Sequence, residues 1–331
     1  MKFSMLLPPK MDERKWSLAR QVGVDHVWTK ATPELSGKLP PYDYKSLKAI
    51  KDDFNEAGFT IVGLEGDQFD MSPIKLGLEG RDEWIEKYCD MLRNMARLDI
   101  HTLCYNWMAV IGWFRTRIDV PGRGGALVSE FKMSDTEGEI VANELQISED
   151  KLWDNLYYFL DAVLPVAEEV GIQMALHPDD PPVSPLKGVG RILTSSSSFD
   201  RIFEKYPSPN NGLTFCQATF ATMGEDIQAL AKKWIPGGRA FFLHLRDVEG
   251  NKNDFRETFH DNGPTSMVEM LQLYHELGFT GSLRPDHAPA MYGEGQGSFA
   301  SGLSAGYEIL GKIFAMGYLK GICEALDIPV E

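Results

Sequence analysis

Eight short apolar runs, each the length of one β-strand, recur along this chain with segments of helical period between them. They are "KFSMLL" (2–7), "VDHVW" (24–28), "TIVGLE" (60–65), "HTLCYN" (101–106), "IQMALH" (172–177), "LTFC" (213–216), "AFFLH" (240–244) and "SLRPD" (282–286). The clearest helical segment is 151–170, where Leu152, Leu156, Phe159, Leu160, Val163, Ala167 and Val170 recur at steps of three or four. "DYKSLKAIKDDFNEAG" is another, with Gly58 where a helix C-terminus favours glycine, and "DEWIEKYCDMLRNMARLDI" is a third. Strands alternating with helices imply parallel pairing through right-handed crossovers. Eight of them close into a (β/α)8 TIM barrel. A doubly wound open sheet is the competitor, but no GxGxxG follows the first strand and no GxxxxGKS or GxxxxGKT occurs. The expected fold is therefore α/β, one (β/α)8 barrel domain over residues 1–331.

Two intervals break the rhythm. Residues 107–150 form a long connection after strand four, and 287–303 form a Gly-rich one after strand eight. Loops that follow barrel strands lie on the catalytic face, so 107–150 is expected to be an active-site lid. The formal charge of −15 gives no basic footprint for nucleic acid or an anionic membrane. An anionic substrate would accordingly need local positive charge of its own. Four scattered cysteines, Cys89, Cys104, Cys216 and Cys323, contain no CxxC pair and do not form a secreted disulfide framework. The opening "MKFSMLLPPKMDE" lacks the core and cleavage site of a signal peptide, and no run approaches a membrane span. A cytoplasmic protein with a small-molecule partner is expected, and homo-oligomerisation is left open.

The ends of the last four runs carry the chemistry. His177, Cys216, His244 and Asp286 terminate strands five, six, seven and eight. Adjacent barrel strands place their ends around one mouth, so two imidazoles, a thiolate and a carboxylate converge on a divalent-metal site. Singly, each has a plainer reading: a strand cap, a small buried thiol, a satisfied core histidine, a helix cap. Four ligand types at four successive strand ends make chance the weaker account. Beside them, Arg246 and Arg284 offer positive charge for a carboxylate, or pair with Asp247 or Asp179 as structural glue. His287 is placed to act as acid or base. Asn106, Trp113 and Arg115 follow strand four and suit a sugar-like ligand, and His260 in "FHDNG" is a further candidate contact.

Together, "CYNWM", "GWFRT", "HPDDPP", "FCQAT", "FLHLR", "RPDH" and the late "AGY" resemble the mannonate dehydratase family, in the family's order over nearly the whole chain. The resemblance implies a xylose-isomerase-like barrel that converts D-mannonate into 2-keto-3-deoxy-D-gluconate and water in hexuronate breakdown. It also implies His177, Cys216, His244 and Asp286 as ligands of a divalent metal, typically Mn2+, whereas the thiolate alone favours Zn2+ or Fe2+. The chain departs from the family pattern at Trp107, Ala218 and Pro264. Such a reaction removes the C2 proton and expels the C3 hydroxide; Tyr307 is expected as base and His287 as acid, with the reverse open. Dehydration of another aldonate, a metal-dependent sugar isomerase or epimerase on the same barrel, and a non-catalytic sugar-acid binder are the alternatives.

Overall fold

The computed structural model describes residues 1–294 and 306–331. Eight parallel strands close in the expected order: β1 (Lys2–Leu6), β2 (His26–Thr29), β3 (Thr60–Glu65), β4 (Thr102–Asn106), β7 (Gln173–His177), β8 (Asn211–Cys216), β9 (Ala240–Leu245) and β12 (Ser282–Pro285). Each overlaps its apolar run. Closure is made by β1 on β12, with Lys2 opposite Ser282 and Phe3 opposite Leu283. Because side chains alternate along a strand, Phe215, Leu243, Leu245 and Leu283 join the large core beneath the helices. Trp28, Cys104 and Phe242 form a separate cluster on the inner face, where the Trp28 and Phe242 rings stack at 3.7 Å.

The helix expected over 151–170 spans Glu149–Val170. Ser148 caps its start by accepting from the Lys151 N–H at 3.3 Å, and Gly171 ends it in the left-handed conformation. Leu152, Leu156, Phe159, Leu160, Val163 and Ala167 are buried, and Val170 is partly exposed at the end of the stripe. Each of the larger buried side chains contributes roughly 1.5–3 kcal/mol. Gly58 follows the helix Tyr44–Glu56 at φ 80°, where an added Cβ would lie 2.0 Å from Arg20 Nη1.

The interval 107–150 is built rather than open. It carries β5 (Arg117–Pro121) and β6 (Leu127–Lys132), which pair antiparallel. A second hairpin, β10 (Val248–Asn251) and β11 (Asp254–Glu257), adds to β6 with Phe255 opposite Phe131. The result is a four-stranded sheet in the order β10-β11-β6-β5. Sequence reading missed the second hairpin because most of its side chains face solvent and no apolar run marks it. Phe131, Val183, Leu186, Ala218, Val248 and Phe255 form a small core where this sheet meets the barrel. The Gly-rich connection expected over 287–303 lies outside the described residues from 295 onward. All four cysteines are free and buried, and among the described residues no helix is long and apolar enough to cross a membrane.

Candidate active site

Strand register assembles the site. Cys216 at the end of β8 pairs with His244 of β9, and His244 pairs with Arg284 of β12. His177 closes β7 opposite Asn106, the last residue of β4. Asp286 follows β12, its N–H donating to the Leu245 carbonyl at 2.9 Å. Two-residue alternation then sets Arg246 on the same face as His244, and Asp286 on the same face as Arg284.

One donor atom from each of His177, Cys216, His244 and Asp286 lies within 4.8 Å of the others. His177 Nε2 faces His244 Nδ1 at 3.2 Å, and His244 Nδ1 is 3.6 Å from an Asp286 oxygen. Ligand atoms around one tetrahedral ion stand roughly 3–4 Å apart, so these spacings fit a divalent cation. Charge agrees with this. Burial pushes the Cys216 thiol up, but Arg246 and His177 outweigh it and leave the thiol below its ordinary value. Burial and Arg284 hold His244 well below 6.5, which keeps it a neutral imidazole. Burial opposes the charge on His177, yet Cys216 and Asp286 raise it to about 9. Glu65, Cys104 and His244 form a second close group. It fits a cation less well, because Arg284 already holds Glu65 at both carboxylate oxygens and burial keeps the Cys104 thiol protonated.

The arginines stand behind the cavity rather than in it. Arg115 donates to both Asp180 oxygens at 2.6 and 3.0 Å and to Glu257 at 2.7 Å. Arg246 donates to Glu257 and Asp180, each at 2.6 Å, and to the Thr219 hydroxyl at 2.8 Å. Arg284 holds Glu65 and donates to Asp286 at 2.9 Å. His260 is buried, with Nε2 on the Leu245 carbonyl at 2.7 Å. Expected as substrate contacts, these four side chains lie outside the cavity lining and face protein partners: the three arginines supply the counter-charge that buried carboxylates require, and His260 meets a backbone carbonyl. Nor do the arginines pair with Asp247 or Asp179. Thr265 holds Asp247, and Asp179 accepts from the Leu193 N–H at 2.8 Å. Arg115 precedes β5 and Glu257 ends β11, so the small sheet is locked to the barrel through this buried network.

In front of it lies a cavity of about 390 Å³, whose lining includes Asn106, Trp113, His177, His244, Asp286, His287 and Tyr307. Glu257, His287 and Tyr307 form a relay: His287 Nδ1 is 3.2 Å from Glu257 Oε1, and Nε2 is 3.2 Å from the Tyr307 hydroxyl. Burial raises Glu257, but Arg246, His287 and Arg115 bring it down to about 2, so it is a carboxylate. Burial and Asp286 push the Tyr307 phenol well above 10 against the pull of Arg284, the opposite of what a tyrosine base requires. Trp113 packs edge-on against His287 with centroids 5.0 Å apart, and its buried Nε1–H meets no acceptor among the described residues. Asn106 accepts from Lys75 Nζ at 2.9 Å.

Sequence reading did not single out Glu65, Asp180, Glu257 or the lysines of the cavity. Glu65 had the same signal as the others, an acid closing an apolar strand. Lys312 also had one. It takes a core position in the stripe Ile309, Lys312, Met316, Leu319, Cys323 of the helix Ile309–Ala325 and is itself buried.

A family model described as D-mannonate dehydratase (UxuA) matches residues 9–145 and 138–330. The chain belongs to the mannonate dehydratase family. Mannonate dehydratase 2 of Halalkalibacterium halodurans is 36% identical over 310 residues, covering 86% of this chain and 87% of that protein. The mannonate dehydratase of Streptococcus agalactiae serotype III is 33% identical over 307 residues, covering 85% and 86%. The crystal structure of mannonate dehydratase from Streptococcus suis serotype 2 superposes with a TM-score of 0.86 at 29% identity, over 98% of this chain and 94% of that one. Membership in the mannonate dehydratase family makes the chain a carbon–oxygen lyase that eliminates water.

Proposed function

We propose that this chain removes water from a sugar acid, D-mannonate in the first instance, giving 2-keto-3-deoxy-D-gluconate within hexuronate catabolism. The observation that carries the reading is one cavity lined by His177, His244 and Asp286 of the donor group and by His287 and Tyr307, with Cys216 completing the donor group and Glu257 standing behind His287. The donor group would hold a divalent ion. The thiolate alone suits zinc or iron, while family likeness and an oxygen-rich substrate favour manganese. Bound there, the ion supplies Lewis acidity toward the carboxylate end of the substrate.

The proton transfers fall to the relay. Glu257 accepts from His287 Nδ1–H, which fixes the tautomer and leaves Nε2, beside the Tyr307 hydroxyl at 3.2 Å, as the unprotonated nitrogen that would accept the C2 proton. Tyr307 keeps its proton at neutral pH and donates it to the departing C3 hydroxyl, since hydroxide leaves poorly unless protonated. The C2 electron pair forms the C2–C3 double bond as the C3–O bond breaks, and the enol product tautomerises to the 2-keto acid. This reverses the roles first expected for the pair. Asn106 and the unpartnered Trp113 indole are the proposed hydroxyl contacts. Arg115, Arg246 and Arg284 act by positioning, holding the carboxylates that in turn orient His287 and the donor group, and His260 by holding the Leu245 carbonyl at the end of β9.

The deciding experiment is a panel of aldonates incubated with added Mn2+ and read by 2-keto acid formation. D-Mannonate should yield a product lighter by one water. A product of unchanged mass would replace this reading with an isomerase, and saturable binding without product would leave only a binder.

A further inference from the structure

The cavity has a second charged end. Lys15, Lys30 and Lys312 all belong to its lining. They come from the segments after β1 and β2 and from the last helix, Ile309–Ala325, whereas His177, Cys216 and His244 come from β7, β8 and β9. Because β12, β1 and β2 are consecutive in the closed barrel, the lysines share one side of the mouth.

The carboxylates of the lining, Glu65, Asp67, Asp180 and Asp286, are matched elsewhere. Arg284 holds Glu65, and Lys75 Nζ holds Asp67 at 2.7 Å. Arg115 and Arg246 hold Asp180, and Arg284 and Arg246 flank Asp286 at 2.9 and 3.2 Å. Among the described residues no carboxylate lies within ion-pair distance of Lys15, Lys30 or Lys312. Lys312 is the extreme case. It is 2% exposed, and its ammonium stands 4.1 Å from the centre of the Tyr307 ring instead of against an anion. Burial first, and then Arg284, pull it well below its ordinary value, with Lys15 adding to the repulsion. Lys30 lies across Gly66, where an added Cβ would come 3.9 Å from its Nζ. In a chain of formal charge −15, three lysines around one cavity with no carboxylate partner among the described residues leave that end of the cavity suited to an anion.

A divalent ion held by the donor group would serve one carboxylate of the substrate. We propose that the Lys15, Lys30, Lys312 end is an anion subsite, and that the preferred substrate is a sugar acid carrying a second negative group at its far end. A carboxylate or a phosphate would meet that need, since either accepts several charge-assisted hydrogen bonds from lysine. The inference rests on the dehydratase reading for the reaction and alters the far end of the substrate. D-Mannonate, neutral at that end, then becomes the slower substrate.

Two measurements on the manganese-loaded full chain test this separately from the reaction. By calorimetry, D-sorbitol 6-phosphate should bind at least about tenfold more tightly than D-sorbitol. The advantage should shrink as NaCl rises from about 50 to about 300 mM, and should be lost in Lys30→Met and Lys312→Met. Turnover of D-mannarate and of 6-phospho-D-mannonate, each against D-mannonate, distinguishes a carboxylate from a phosphate. Either dianion should exceed D-mannonate in kcat/KM, by a ratio that falls toward one in the lysine variants. Equal binding of the polyol and its phosphate would overturn the subsite. So would a loss of kcat/KM in the lysine variants that is the same for D-mannonate and both dianions, because the lysines would then hold the shared carboxylate. Should Lys312→Met fail to fold, the partly exposed Lys15 and Lys30 carry the test through Lys15→Met and Lys30→Met. Polyol phosphate binding is read without turnover, so failure of every aldonate to dehydrate would count against the reaction alone.

Discussion

Arg246→Met removes one guanidinium that holds Asp180 and Glu257 and flanks Asp286, and keeps most of the side-chain volume. Arg246 donates at 2.6 Å to both Asp180 and Glu257, and all three side chains are at most 3% exposed. Breaking a buried pair in this way costs about 3–5 kcal/mol, largely because a charge is left without its partner. Here the lower end applies, since Arg115 still holds Asp180 at two oxygens and Glu257 at one. Unfolding entropy of about 2.1 cal/mol/K per residue over 331 residues gives roughly 0.7 kcal/mol/K, so about 3 kcal/mol corresponds to about 4 °C in Tm. The assay is calorimetric unfolding of the metal-stripped proteins near pH 7, which removes differences in metal loading. A second substitution separates charge from packing. Adding Glu257→Gln to Arg246→Met should recover part of the loss, because a neutral amide no longer needs the cation. A Tm within about 1 °C of the parent would refute the charge argument. A double variant no more stable than Arg246→Met would do the same.

Three further outcomes follow from the geometry. Cys216→Ala should remove one of four donors, so that manganese measured by elemental analysis after desalting falls well below that of the parent, and added Mn2+ raises Tm much less. His287→Asn should abolish 2-keto acid formation while metal content stays at the parent level; loss of metal as well would make His287 structural. Burial lowers His260 from 6.5 to about 4, so the unfolded chain takes up its proton first as pH falls. The stability contributed by the neutral ring is complete above pH 6.5 and lost on the way down to about 4, a change of about 3 kcal/mol. Denaturant midpoints of parent and His260→Gln should therefore diverge at neutral pH and converge near pH 4; parallel pH profiles would exclude it.

The barrel was legible because strand burial on both faces writes a continuous apolar run, and its helices write a stripe such as Leu152, Leu156, Phe159 and Val163. The donor group was legible for the same reason: a histidine, cysteine or aspartate that ends such a run must stand at the barrel mouth. The β10–β11 hairpin left no such trace, since its exposed side chains dilute the alternation of Val248 and Phe255. Residue type at the arginines was legible too, but their partners were not. Arg115 and Glu257 lie 142 positions apart, and only the unforeseen sheet brings them together. Arg246 therefore looked free in sequence while being enclosed in space. Lys312 is the converse. Its place on a buried helical stripe was visible, and a lysine at a core position without a counter-ion either gives up its proton or meets an anion that enters the cavity. Burial and Arg284 favour the first in the empty cavity, and an anionic ligand would reverse it, which is why the lysine variants are the discriminating test.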